Sequence, residues 1–282
     1  MRFNVPDELD GISVKDFLRK HCHVSSRTLA KLKRTDMGIT CNGEHIRSID
    51  ILHAHDMVEL TFPKDEMYIE PVDLSVETVY EDDQVIIFNK PPYMPVHPVK
   101  DYRLNTLANH AAFHAISMGE NYIFRVVNRL DKDTSGLVLA AKNAYAAAFL
   151  KNHTDKLYIA LCEGRIEGSG TIDKPLRLKE GHGIQREIGE GGVRAVTHYK
   201  VVENYGDEYT LLEIRLETGR THQIRAHFSC TGYPLAGDDM YGGSREKFPR
   251  QCLHCAEICF THPESGKTVT VRKNKDFFEE IK

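Results

Sequence analysis

The sequence contains no apolar run that approaches the roughly 20 residues needed to span a bilayer. Its first residues, Met1 to Pro6, also lack the apolar segment of a secretory signal. Membrane and secreted proteins are therefore disfavoured, and we expect a cytoplasmic protein. The seven cysteines are an odd number in a chain of 282 residues, which favours reduced thiols over a disulfide framework.

The chain has no overall excess of basic residues, since its formal net charge is -4, but this average hides a basic segment. Residues 15–34 contain one acid, Asp16, and seven basic residues: Lys15, Arg19, Lys20, Arg27, Lys31, Lys33 and Arg34. Apolar residues recur there at helical spacing, which predicts two short helices, the second capped by Ser25 or Ser26. An Asn42-Gly43 pair then predicts a tight hairpin. At this point a solvated charged face explains the basic residues as well as nucleic-acid binding does.

The remaining chain predicts a linker and a larger domain. Residues 63–73 are polar and flanked by prolines, as is typical of linkers. Beyond them, short apolar runs alternate with helix-compatible segments at 104–117 and 143–153. We therefore predict an α+β fold, with a mixed β-sheet and packed helices over 74–282, preceded by a small α/β module at 1–62.

Three segments are candidates for chemistry. Residues 129–136 form a polar loop between apolar runs, and such loops often carry catalytic groups, although an ordinary charged turn has the same composition. Residues 218–227 contain two arginines and two histidines, which suit phosphate or carboxylate recognition but also fit an exposed helix start. Residues 156–161 alternate like a strand, on which Tyr158 could be a plain core aromatic.

Taken together, the three segments resemble the RluA family of RNA pseudouridine synthases. The family's Arg-Leu-Asp-x-x-Thr-Ser-Gly loop stands at 129–136, its Lys-x-Tyr-x-Ala strand at 156–160 and its Gly-Arg-Thr-His-Gln-Ile-Arg segment at 219–225. A Gly-Tyr-Pro-Leu-Ala-Gly-Asp piece follows at 232–238, and the resemblance covers about residues 80–280. Residues 1–62 resemble, more loosely, the small RNA-binding module first seen in ribosomal protein S-four.

The resemblance implies that the protein isomerises uridines of structured RNA to pseudouridine, with ribosomal RNA favoured over transfer RNA. By family position, the catalytic residues are Asp131, as nucleophile or base, Tyr158 and Arg225. The resemblance also implies no metal and no nucleotide or other cofactor, and we expect a monomer. The residues expected to contact RNA are Arg129, Arg220 and His222 in the larger domain and Arg27, Lys31, Lys33 and Arg34 in the small module.

Two departures and two rival hypotheses remain. The family usually has His where this chain has Asn128, and Gly where it has Tyr93. These departures favour the first rival, a catalytically inactive relative that only binds RNA. The second rival is a zinc protein, which would use Cys252, His254, Cys255, Cys259 and His262. Because residues 251–260 alternate like a strand, we prefer buried reduced cysteines as the explanation.

Overall fold

The computed structural model describes residues 1–62, 69–99, 102–275 and 277. Residues 63–68 of the predicted linker lie outside this part, as do the last five residues of the predicted larger domain and the side chain of Arg27. Among the described helices, none is long and apolar enough to cross a membrane. The mixed α+β architecture predicted from the sequence is confirmed.

The N-terminal unit combines short helices with two small sheets. Its elements are β1 (Arg2–Asn4), β2 (Ile12–Ser13), α1 (Val14–Asp16), α2 (Ser26–Leu32), β3 (Ile39–Cys41), β4 (Glu44–His45), β5 (Ile51–Leu52) and β6 (Met57–Leu60). A π-helical turn, Phe17–His21, extends α1, so the first predicted helix is present with a widened second half. The Ser25 hydroxyl caps α2 by accepting a bond from the Thr28 amide at 3.0 Å. The predicted hairpin forms, because Asn42 and Gly43 both take positive φ angles, 53° and 89°.

The larger unit is built on one mixed sheet. Its strands are β7 (Glu77–Glu81), β8 (Val85–Lys90), β9 (Arg125–Val126), β10 (Ser135–Ala141), β11 (Thr154–Glu163), β12 (Ser169–Asp173), β13 (Leu176–Leu178), β14 (Arg186–Ile188), β15 (Val196–Tyr205), β16 (Tyr209–Leu216), β17 (Leu253–Thr261) and β18 (Thr268–Arg272). Its helices are α3 (Leu107–Ser117), α4 (Ala144–Leu150) and α5 (Gln223–Cys230). The described sheet runs in the order β12-β15-β16-β11-β17-β10-β8-β7, with β18 beside β17 and β9 beside β10, while β13 and β14 form a separate hairpin.

The centre of the sheet contains a parallel contact between β10 and β17, where Ser135 lies opposite His254 and Gly136 opposite Cys255. Gly136 takes a φ of +111°, and a Cβ atom there would lie 2.4 Å from the Cys255 carbonyl oxygen. Only glycine therefore allows β10 to approach β17 at the point where the polar 129–136 loop enters the sheet.

The two units share part of their apolar packing. The N-terminal cluster, which includes Phe17, Leu18 and Leu32, also buries Tyr145 of α4. The Tyr145 ring lies 5.7 Å from the Phe3 ring in an edge-on arrangement, and Phe149 packs against the same cluster. Helix α4 thus joins the large sheet to the N-terminal unit.

Candidate active site

The 129–136 loop begins on a backbone clamp made by Asn128. The Asn128 amide donates from Nδ2 to the Leu137 carbonyl at 3.1 Å and accepts at Oδ1 from the Leu139 amide at 2.8 Å. Asn128 is only 6% exposed, so both bonds are sheltered from water. Asn128, which stands where the family usually has His, therefore provides hydrogen-bond partners for two backbone groups of β10.

The second departure, Tyr93, lies on the surface in a left-handed backbone conformation. Its φ is +66° and it is 53% exposed. A side chain in this region costs about 1–2 kcal/mol, which explains why glycine suits the position. The backbone shape that glycine favours is thus kept here by a tyrosine.

Two buried cations hold the backbone just after Asp131. Lys90 donates from Nζ to the Lys132 carbonyl at 3.0 Å and to two carbonyls of its own loop, those of Pro91 and Met94. Arg250 donates from Nη1 to the Asp133 carbonyl at 3.0 Å. Burial, and then the charge of Arg250, lower the pKa of Lys90 to about 7.

Sequence reasoning missed both cations as site residues. Lys90 is the last residue of β8, and the sequence around it does not indicate a contact with a loop 42 residues away. No sequence pattern indicated that Arg250 contacts the site, because the carbonyl to which it donates lies 117 residues away in the chain.

Asp131 lies in an open cleft of about 360 Å³ and is 26% exposed at its side chain. Arg225 of α5 donates from Nη1 to Asp131 Oδ2 at 3.0 Å. Among the described residues, no donor contacts the other carboxylate oxygen, Oδ1. Burial alone would lower the pKa of Arg225, but its bonds to Asp238 and Asp131 raise it above the ordinary value, so the guanidinium stays charged.

Tyr158 projects from β11 into the same cleft and is 6% exposed. Burial raises its pKa well above the ordinary value, and the nearby Cys255 and Asp131 act in the same direction. The phenol therefore stays protonated at neutral pH. The structure thus brings together Asp131, Tyr158 and Arg225, which come from three distant segments of the sequence.

The residues predicted to bind RNA occupy three kinds of position. Arg129 and Arg220 are exposed and line the cleft. His222 also lines it but is buried, with its Nε2 atom 3.8 Å from Asp131 Oδ2. The remaining described ones, Lys31, Lys33 and Arg34, are exposed at the end of α2 in the N-terminal unit.

The cysteine-rich segment forms a strand, as its alternation predicts. His254 is engaged by Ser135 Oγ at 2.9 Å and by the Lys273 carbonyl at 2.8 Å. Within residues 1–62, 69–99, 102–275 and 277, no three metal-ligating side chains converge. The residues suggested for zinc therefore do not form a cluster in this part of the chain.

Comparison with known proteins identifies the family. The family model described as RNA pseudouridylate synthase matches residues 84–230. A Bacillus subtilis protein named Uncharacterized RNA pseudouridine synthase YjbO is 35% identical over 250 residues, which cover 85% of this chain and 87% of that protein. The chain belongs to the RNA pseudouridylate synthase family.

Two further relatives support this assignment. The Ribosomal large subunit pseudouridine synthase D of Pseudomonas aeruginosa is 34% identical over 269 residues, which cover 86% of this chain and 82% of that protein. The solved structure of Human RNA Pseudouridylate Synthase Domain Containing 1 has a TM-score of 0.59 and 27% identity, and the match covers 73% of this chain and 86% of that one. The family forms pseudouridine in RNA, so the protein is an isomerase, as the motifs predict.

Proposed function

We propose that this synthase isomerises a specific uridine of structured RNA, ribosomal RNA in preference to transfer RNA, with Asp131 as the group that starts the reaction. The observation that carries this proposal is the Asp131–Arg225 ion pair of 3.0 Å in an open cleft, beside the buried Tyr158. The preference for ribosomal RNA rests on relatives named Ribosomal large subunit pseudouridine synthase D. A cytoplasmic location fits that substrate.

The chemistry asks for one ionised carboxylate. The bond between the ribose and the base nitrogen breaks, the base rotates and a base carbon rejoins the sugar, so nothing is oxidised or hydrolysed overall. Asp131 either attacks the anomeric carbon as a nucleophile or removes a proton from the neighbouring ribose carbon as a base. In both routes the oxygen Oδ1, which faces no donor from the described residues, meets the ribose. Arg225 holds the carboxylate through its bond to Oδ2, and the Tyr158 ring stacks on the base.

The target uridine must leave its helix to reach Asp131. Enzymes that act on a base extrude its nucleotide from the helix, which costs unstacking and unpairing energy. Arg129, exposed on the cleft, would enter the vacated space, because a flat guanidinium both stacks on bases and bonds to phosphates. Arg220 and His222 would contact the extruded nucleotide and its neighbours.

The N-terminal unit, residues 1–62, would act as the RNA-binding module that resembles the one of ribosomal protein S-four. Its hairpin, its capped second helix and the exposed cations Lys31, Lys33 and Arg34 support this assignment. Arg27, whose backbone lies in α2, is also an expected RNA contact of this module. Residues 63–73 would link it to a catalytic domain at 74–282, and the protein would act as a monomer without a cofactor.

The alternative, an inactive RNA-binding relative, rests on the two departures from the family. Asn128 holds two backbone groups of β10, and Tyr93 keeps the left-handed backbone that glycine favours, so both departures are compatible with an intact site. Within the part of the chain that the structure describes, neither Asn128 nor Tyr93 forms a hydrogen bond with the Asp131 side chain. We therefore favour the active enzyme.

The decisive experiment compares Asp131→Asn with wild type. The amide keeps the side-chain shape but cannot act as nucleophile or base, so purified Asp131→Asn should bind RNA and form no pseudouridine. Asp155→Asn, an exposed carboxylate on β11, is the matched control and should be active. Turnover near wild type in Asp131→Asn would overturn the proposal, and an inactive wild type would support the RNA-binding alternative. Sequencing-based mapping of pseudouridine in cells with and without the protein would identify the target.

A further inference from the structure

We propose that Asp238 and Tyr241 are positioning residues that orient two N–H groups, one of Arg225 and one of His222, toward one oxygen of Asp131 and leave its other oxygen for the ribose. Asp238 acts through Arg225, and Tyr241 acts through His222. The inference rests on the proposed role of Asp131. Asp238 ends the Gly-Tyr-Pro-Leu-Ala-Gly-Asp piece, and Tyr241 lies three residues later, where the chain forms a single 3-10 turn.

Asp238 fixes the orientation of the Arg225 guanidinium. Its carboxylate is 0% exposed and accepts from Arg225 Nε at 2.7 Å and from Nη2 at 2.8 Å. The donors of a guanidinium are rigidly arranged in one plane, so this two-point contact leaves Nη1 to point in one direction. Nη1 is the atom that donates to Asp131 Oδ2 at 3.0 Å.

The backbone around Asp238 is itself fixed. The preceding Gly237 has a φ of +78°, and a Cβ atom there would lie 1.9 Å from the Arg250 carbonyl oxygen. The Asp238 amide donates to the Leu235 carbonyl, and the Gly243 amide donates to the Asp238 carbonyl at 2.8 Å. Asp238 therefore holds Arg225 from a rigid turn.

Tyr241 fixes which nitrogen of His222 carries the proton. The Arg186 amide donates to the Tyr241 hydroxyl at 2.8 Å, so the hydroxyl proton is available for His222 Nδ1, which lies 3.1 Å away. Burial raises the pKa of Tyr241 to about 12 and lowers that of His222, so a protonated phenol meets a neutral ring. With Nδ1 accepting, the ring proton must lie on Nε2.

Both N–H groups face the same atom. Arg225 Nη1 donates to Asp131 Oδ2 at 3.0 Å, and His222 Nε2 lies 3.8 Å from the same oxygen, beyond hydrogen-bond distance in the free enzyme. Tyr241 also lies under the guanidinium, whose carbon is 4.9 Å from the ring centroid. Contacts with the Asp131 carboxylate are thus concentrated on its Oδ2 side, which leaves Oδ1 for the ribose.

The first test replaces the buried carboxylate. In Asp238→Asn, the single-turnover rate at saturating RNA should fall by roughly 100-fold, because the guanidinium loses its orientation, while RNA affinity changes little. Asp239→Asn is the matched control, since that neighbouring carboxylate is exposed and pairs with Arg245 at the surface. A wild-type rate in folded Asp238→Asn would overturn the inference.

A double-mutant cycle tests whether Asp238 acts through Arg225. The variant carrying both Asp238→Asn and Arg225→Lys should be no slower than Arg225→Lys alone. Once Arg225 is replaced, there is no guanidinium for Asp238 to orient, so its loss should have no further effect. Additive losses would contradict this route. The Asp131→Asn variant in the same assay separates the two proposals: if it is active, the proposed function fails, and if it is inactive while Asp238→Asn and Tyr241→Phe are unimpaired, only this inference fails.

The second test leaves the Asp238–Arg225 ion pair intact, so it avoids a variant that could fail to fold. Tyr241→Phe keeps the ring under Arg225 and removes only the hydroxyl, so the rate at saturating RNA should fall by up to about tenfold. Nitrogen NMR of His222 should show the proton on Nε2 in the wild type and a mixture of tautomers in Tyr241→Phe. A wild-type ring protonated on Nδ1, or an unchanged rate in the variant, would overturn the role of Tyr241.

Discussion

Three exposed cations at the end of α2, Lys31, Lys33 and Arg34, should set the salt dependence of RNA binding. Each protein cation that neutralises a phosphate of single-stranded RNA contributes about 0.7 to the slope of log affinity against log salt. Replacing all three with Gln should therefore make the slope shallower by up to about 2 units. Fluorescence anisotropy with a structured RNA, across roughly 50 to 200 mM salt, measures this directly.

The same variant should keep its single-turnover rate at saturating RNA, because Asp131, Tyr158 and Arg225 all lie in the larger unit. Lys200→Gln with Lys267→Gln, two exposed cations of that unit, controls for the general loss of positive charge. An unchanged salt slope would refute the RNA-binding role of the basic end of α2. A collapsed saturated rate in a folded protein would show that the N-terminal unit helps to assemble the active site.

Charge neutralisation is a cleaner test than deletion of residues 1–62. Deletion should also weaken RNA binding and flatten its salt dependence, but it uncovers Tyr145, which is 2% exposed, and the neighbouring Phe149. Leaving such a side chain in water costs about 1.5–3 kcal/mol. A truncated protein should thus have a lower melting temperature, and its kinetics would mix lost RNA contacts with lost packing.

Four further predictions concern the larger unit. Because the Tyr158 ring is proposed to stack on the base, Tyr158→Phe should retain more turnover than Tyr158→Leu; equal losses would assign the role to the hydroxyl. Asn128→Ala leaves two backbone groups of β10 without their partner and should lower the free energy of unfolding in urea by about 1–3 kcal/mol, so an unchanged midpoint would contradict the clamp. With a native pKa of about 7 against an ordinary value of 10.5, Lys90 binds fewer protons in the folded than in the unfolded chain between these pH values. Between roughly pH 7 and 8.5, the free energy of unfolding of wild type should therefore rise by about 2 kcal/mol more than that of Lys90→Met, as measured by urea unfolding at each pH. If the two proteins change equally, the three carbonyls keep Lys90 in its ammonium form. Turnover should survive exhaustive chelation, and bound stoichiometric zinc whose removal abolishes activity would revive the cysteine site.

Local sequence determined many of the elements and the family. The Asn42-Gly43 pair and the Ser25 cap each act within a few residues, and both form as predicted. The motif around Asp131 and the one ending at Arg225 could be recognised because each is contiguous in the chain. The resemblance grouped the two as site residues, but their contact at 3.0 Å across 94 residues is visible only in the structure.

Tertiary structure alone decided what holds the site in place. The contact from Arg250 to the loop spans 117 residues, the one from Lys90 spans 42, and the bond between Tyr241 and Arg186 joins the 3-10 turn to β14. The sharing of Tyr145 between the two units is equally invisible in the sequence. Such contacts arise when distant segments bury polar groups that must then find partners, and neither local propensity nor periodicity specifies which partner is met.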